Sequence, residues 1–260
     1  MGLALSLLLA AALLAAAPAQ AQQRKPPVPP GRDPGGVAVA LLTTGIDYRL
    51  PALAGRLARD GEGELIGWDL VDGDRQPFDA AMGTAPPERG GDGTALAMLL
   101  LAAGGVRLVP VRVDPGAPVS FARALAFVAR TPARIALMPM WGRERQDWEP
   151  VRQAAERFAH VLVIAAPEAG EAAYPDALSL DSLLAVEGAG SGAEAAGFGG
   201  RTQRLAGAHA ALAAAGRAAA ALLAREPGLD TGALKRRLVQ AGGDGEWRPL
   251  AGERTKGGRP

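Results

Sequence analysis

The sequence predicts an α/β protein of three layers (α/β/α), with helices on both faces of a mostly parallel central sheet. Three observations predict it. Apolar runs of strand length alternate with stretches of helix length, the order that a parallel sheet requires. Several of the runs are near-continuous in Val, Ala, Leu and Ile, as in strands buried on both faces. The chain has 260 residues, 48% of them hydrophobic, which suffices for a large core without disulfides, and there is no cysteine to form one.

The N-terminus reads as a targeting segment. "LALSLLLAAALLAAAPAQA" is an apolar run followed by Pro18 and the small-residue pattern Ala19-Gln20-Ala21. That pattern suits signal-peptidase cleavage after Ala21, so residues 1–21 are expected to be a signal peptide and the mature protein to be secreted or periplasmic. An uncleaved anchor is the competing reading, and the apolar stretch is short for a membrane span. "QQRKPPVPPGRDPGG", 22–36, is Pro-rich without an apolar period and is expected to be an extended, mobile linker.

A single domain is expected over 37–241. Residues 37–42 read as a buried parallel strand. "YRLPALAGRLARDGEGE" is a loop with a short helical turn, and "LIGWDLVDGD" a second strand running into an acidic turn. "GGDGTALAMLLLAAGG" opens a buried helix that Gly104-Gly105 stops. "VRLVPVRV" is a strand, and "PVSFARALAFVART" a helix with Phe121, Leu125 and Val128 on one face. "RIALMPMWG", "HVLVIAAPEAG" and "DSLLAVEGAG" are strands, with "DWEPVRQAAERFA" a helix among them. Residues 189–207 read as Gly- and Ala-rich filling, poorly suited to holding a preorganised site. An Ala-rich helix follows from about Leu205 to Arg225, halted by Pro227. The last helix is capped by Asp230 or Thr231 and ends at Gly242. The tail, 242–260, is polar and Gly-rich and is expected to be loose.

A formal net charge of +1 offers no electrostatic case for nucleic acid or an anionic membrane. The absence of cysteine excludes thiol catalysis and Cys-bound zinc, and only His160 and His209 can serve an imidazole mechanism.

The order of these segments resembles that of the subtilisin-like serine peptidases, over about residues 36–241. "VAVALLTTGIDYRLPALAGRL" is similar to that family's strand ending in Asp-Thr-Gly-Ile-Asp, and "GWDLVDGDRQPFD" to its "GWDFVDGDNDPFD" type of stretch. "GGDGTALAML" stands where the family has Gly-His-Gly-Thr-His-Val-Ala-Gly. "RIALMPMWG" resembles the strand ending in Asn-Met-Ser-Trp-Gly, and "VLVIAAPEAG" stands at Val-Leu-Val-Val-Ala-Ala-Gly-Asn. "AAAALLAREPGLDTGALKRRL" resembles the end of the nucleophile helix and the helix after it. The resemblance implies a shortened subtilisin-like fold. Between "LLAVEG" and the nucleophile helix this chain carries about half the family's usual length.

Carried over residue by residue, the resemblance implies a degenerate site. Thr43 takes the place of the triad Asp, and it has no charge to stabilise an imidazolium. Asp92 takes the place of the His, and a carboxylate is a weak acceptor for a serine proton at neutral pH. His209, to within one residue, takes the nucleophile's place, and 201–219 contain no Ser. Glu168, or a neighbour, takes the place of the oxyanion-hole Asn, where an anion would repel the developing charge. Pro139, or its neighbour, falls near the strand that would pair with substrate backbone, and proline has no N–H to donate.

Sharper readings of the same residues compete with these. Thr43, Asp92 and His209 could make a new triad, but the carboxylate would then stand between nucleophile and base. Asp92, Glu168 and His209 are an acceptable ligand set for zinc or iron, without a supporting motif. Asp69, Asp72, Asp74 and Asp79 could suggest calcium but lack the twelve-residue loop, and a turn of solvated carboxylates is the simpler reading. His160 reads as a solvated or capping residue at a helix end. The Ala-rich helix could suggest a membrane span, but His209 and Arg217 interrupt it and a buried central helix fits better. "RKPPVPP" could be a polyproline ligand, though a tether is the commoner role.

The resulting expectation is an exported pseudopeptidase that acts by binding a protein or peptide, with no catalytic residue, no cofactor and no metal. The alternatives are a working serine peptidase whose motifs are misaligned, and a relic without selected activity. For the working enzyme, Ser120, Ser179, Ser182 and Ser191 are the available nucleophiles, with Ser191 the least unsuited.

Overall fold

A computed structural model of the protein describes residues 25–79, 91–139, 145–167, 179–188, 190–241 and 245–250. Its elements follow the expected alternation. They are β1 (Val37–Thr43), α1 (Pro51–Ala54), β2 (Trp68–Asp69), α2 (Gly93–Leu101), β3 (Val106–Arg112), α3 (Pro118–Val128), β4 (Ile135–Met138) and α4 (Arg145–Arg157). Then come β5 (Leu162–Ala165), β6 (Leu183–Gly188), β7 (Ala193–Ala196), β8 (Thr202–Leu205), α5 (Gly207–Arg225), α6 (Thr231–Ala241) and β9 (Trp247–Pro249).

The main sheet has the order β2-β3-β1-β4-β5-β6-β9. All its pairs are parallel except β6 with β9. In β1, Val39 and Leu41 face a core made with α2, α5 and α6, while Ala38, Ala40 and Leu42 face one made with α3 and α4. Two buried faces are why this strand has no polar alternation. In α3 the expected stripe of Phe121, Leu125 and Val128 is buried. Asp230 caps α6 as expected, its carboxylate accepting the Ala233 N–H at 2.7 Å.

The Ala-rich α5 passes the length and apolarity test for a membrane span, but half of that stretch is buried in the protein. It packs against both α2 and the sheet, and at Gly216 the approach leaves no room for a side chain. A Cβ on Gly216 would lie 2.7 Å from Leu137 Cδ1 and 3.1 Å from Leu100 Cδ1.

Three expectations need correction. Residues 25–36 have no regular structure, but they are docked and not a free linker. Tyr48 donates to Pro26 O (2.6 Å), Arg59 to Pro29 O (2.6 Å), and Asp33 pairs with Arg107 (2.5 Å). A Pro-rich segment without periodicity is held here by single polar contacts along its length. The domain also continues past Gly242. Trp247 is 4% exposed and β9 pairs with β6, so 247–250 belong to the sheet and not to a loose tail. Finally, the Gly- and Ala-rich filling contains a hairpin, β7 against β8, with a 3-10 turn at Phe198–Gly200.

Candidate functional site at the end of the central strand

From β1 the chain crosses to β3 on one side, then returns through α3 to β4 on the other. The strand order therefore reverses beside β1. A crevice outside the carboxyl ends of the strands at such a point is where open α/β sheets bind ligands. Thr43 is the last residue of β1, and α2 and α5 both begin here.

Asp92 occupies the N-cap position of α2, yet its side chain makes no capping bond. It reaches across to accept from Gln203 Nε2 at 2.6 Å, and its Oδ2 lies 3.7 Å from His209 Nε2. His209 is in the first turn of α5 and 18% exposed, whereas Asp92 is 43% exposed. The other ring nitrogen, Nδ1, is buried without a hydrogen-bond partner. Thr43 is 2% exposed. Its hydroxyl closes onto its own loop, donating to Gly45 O and accepting from Gly45 N–H, both at 3.3 Å. The backbone of α2 passes close by: a Cβ on Gly93 would stand 2.5 Å from Thr43 Oγ1.

Beneath these residues lies a carboxylate that sequence reasoning assigned to a solvated turn. Asp79 is 1% exposed. It accepts from Thr44 Oγ1 (3.1 Å), Thr94 Oγ1 (3.1 Å) and Gly91 N–H (2.9 Å). Burial pushes its pKa up. The three donors oppose that shift and the charge of Asp92 adds to it. Asp69 is buried too, so the solvated-turn reading is corrected for Asp69 and Asp79; Asp72 and Asp74 keep about two-fifths of their side chains exposed while pairing with Lys25. A four-carboxylate turn carries no signal of which side chains point inward. In Asp79's case the only hint is its place directly after Phe78.

Asp47 also belongs to the site. Arg49 grips it through two bonds of 2.7 and 2.8 Å, and the Gly199 N–H at the hairpin tip donates to it at 3.1 Å. Burial works against its charge, but the Arg49 bonds, the Gly199 N–H and the Arg49 charge together hold its pKa below the ordinary value.

Thr43, Asp92 and His209 are thus brought to one corner, with only Asp92 and His209 in direct reach of each other. Glu168 lies outside the described residues. Pro139 follows β4 directly. Among the described residues, no group of three or more His, Asp or Glu is arranged to hold a metal ion. His160 is exposed and touches the Ala129 carbonyl at 3.2 Å, so it closes the end of α3 and not that of its own helix.

The serines are placed elsewhere. Ser182 is buried and donates to Ala155 O (2.7 Å), and Ser120 accepts from the Asp114 N–H (3.0 Å). Ser179 and Ser182 precede β6, at the end of the sheet opposite Thr43. Ser191 is exposed on the hairpin's approach, beside Arg204.

The closed geometry limits the chemistry. A hydroxyl becomes a nucleophile when an adjacent base takes its proton. Here the imidazole's neighbour is a carboxylate, and the threonine hydroxyl is buried against its own backbone. What the corner does offer is a half-exposed carboxylate with one imidazole and one amide beside it.

No family model matches the sequence, and no curated protein matches it. Solved structures do resemble the fold. A cold adapted subtilisin-like serine proteinase superposes with a TM-score of 0.60 at 19% identity, over 85% of this chain and 88% of that one. Sphericase gives 0.58 at 16% identity, over 82% and 85%. The S41 psychrophilic protease gives 0.57 at 16%, over 81% and 84%. The chain has a subtilisin-like fold.

Proposed function

We propose that this chain is an exported pseudopeptidase: it keeps a subtilisin-like fold, does not cut peptide bonds, and acts by binding a protein or peptide. The observation that carries this reading is the pairing in that corner. The imidazole of His209 faces the Asp92 carboxylate at 3.7 Å, and among the described residues no hydroxyl is placed beside it. Removing one triad member from a serine peptidase costs several orders of magnitude in rate, and Glu168, which by resemblance takes the oxyanion donor's place, would repel an oxyanion. Export is supported by the apolar N-terminus and its Ala19-Gln20-Ala21 site.

A fluorophosphonate probe tests the reading, because it labels only an activated serine. Absence of label on the purified protein, and a mature N-terminus at Gln22 after expression in an exporting host, are the expected results. Stoichiometric labelling at any of Ser120, Ser179, Ser182 or Ser191 would replace this reading with a working peptidase. Capture of a specific peptide that Asp92→Arg abolishes would support the binding role.

A further inference from the structure

The docked N-terminal segment and the hairpin are joined by one row of contacts. Lys25 Nζ sits among three carboxylates, 2.5 Å from Asp69, 2.7 Å from Asp72 and 3.0 Å from Asp74. Arg112 completes the cluster at 2.7 Å from both Asp69 and Asp72. Beside Lys25, the carbonyl of Pro26 accepts the hydroxyl of the fully buried Tyr48. The Tyr48 ring meets Phe78 edge-on at 5.2 Å, and Phe78 meets Phe198 at 5.6 Å. Arg49 lies over both phenylalanine rings, at 4.9 and 5.5 Å. Phe198 is the hairpin tip, anchored through Gly199 to Asp47, and Gln203 further along the hairpin holds Asp92.

We infer that the Pro-rich segment and the β7–β8 hairpin form one clasp, in which docking of Lys25 into its carboxylate cradle sets how tightly the hairpin, through Gln203, holds Asp92 beside His209. The inference rests on reading that corner as a binding site, since it describes what sets its geometry. The physical coupling is Tyr48. With the segment docked, its buried hydroxyl has a partner. With the segment released, that hydroxyl is orphaned and the ring is drawn toward water, away from Phe78. The segment is the element with two states, docked and released, and both ends of the row bias it. Coupling of this kind is reciprocal, so loosening the hairpin weakens docking of the segment.

The test uses the full chain and two variants, Lys25→Gln and Phe198→Ala. Segment docking is read by the rate of trypsin cleavage after Arg32. Hairpin closure is read by hydrogen exchange at Gly199 and Gly200, and exchange of Leu162 and Ile164 in β5 reports global unfolding. The expected result is that each variant raises both readouts, by about tenfold for loss of a charge-assisted contact, with β5 unchanged. Three results would overturn the clasp: Lys25→Gln frees the segment while Gly199 and Gly200 exchange at the wild-type rate; Phe198→Ala loosens the hairpin without exposing Arg32; or hairpin and β5 exchange rise by the same factor. Neither readout depends on catalysis or on a partner. A labelled serine would therefore overturn the corner's reading and leave the clasp standing, and uncoupled exchange would do the reverse.

Discussion

Asp92 Oδ2 stands 3.7 Å from His209 Nε2, in the corner where α2 and α5 begin. The contact joins the two positions that, by resemblance, would hold a peptidase's general base and its nucleophile. An acid and an imidazole make an ion pair or a hydrogen bond. Neither group is a hydroxyl, and the remaining nitrogen of the ring is shut away from solvent. The measurable consequences concern how this corner and its supports are held.

Asp79 supports the corner from below. Asp79→Ala is expected to cost about 1–3 kcal/mol, because the Gly91 N–H and the Thr44 and Thr94 hydroxyls lose their acceptor while buried. Asp79→Asn should retain most of that stability and change its pH dependence. Burial raises the folded-state pKa above the ordinary value of 3.8, so the native state binds the extra proton. Asp79's contribution is then greatest below that value and falls as pH rises through the folded-state pKa. Urea denaturation from pH 4 to 7 should show this decline in the wild type and lose it in Asp79→Asn.

Arg112 holds the acidic turn. Asp69 is fully buried, and Arg112→Met leaves it with Lys25 as its remaining cation. The expected loss is about 1.5–3 kcal/mol, the usual worth of a hydrogen bond to a charged group, since Lys25 still neutralises Asp69. The turn should also fail in acid. Lys25, then Arg112, hold the Asp72 pKa below 3.8, against the effect of burial. Its contribution is complete above that value and is lost as pH falls through the lower folded-state pKa. This half-exposed carboxylate should add only a modest slope, measurable by denaturation between pH 2 and 4.

Trp247 closes the far edge of the sheet. Trp247→Ala should destabilise the domain by about 3–5 kcal/mol, the range for deleting a buried aromatic side chain. A change under about 0.5 kcal/mol would mean that β9 is an ornament on β6 and that the domain ends with α6.

Much of the framework was legible. The Val, Ala and Leu run of β1 announces two buried faces, the α3 stripe announces its core side, and the Gly and Ala content of α5 announces a close approach to the sheet. The meeting of Asp92 with His209 came from the resemblance and not from spacing, since nothing local links them. The parts that were missed share a physical cause. Trp247, Phe198 and Tyr48 each anchor a segment whose other residues are Gly, Ala or Pro, or which has no period of its own. One aromatic anchor per segment leaves no periodicity to read. The docked 25–36 segment depends on contacts such as Lys25 with Asp69 that are far apart in the chain. Gln203, which holds Asp92, has no sequence signal.

Peptide-bond cleavage by homogeneous protein tests the account most directly. Incubated with a diverse peptide mixture and followed by mass spectrometry, the wild-type chain is expected to yield no cleavage above that of a sample treated with a serine-directed inactivator. Turnover that the inactivator blocks, and that substitution of one serine abolishes, would contradict it.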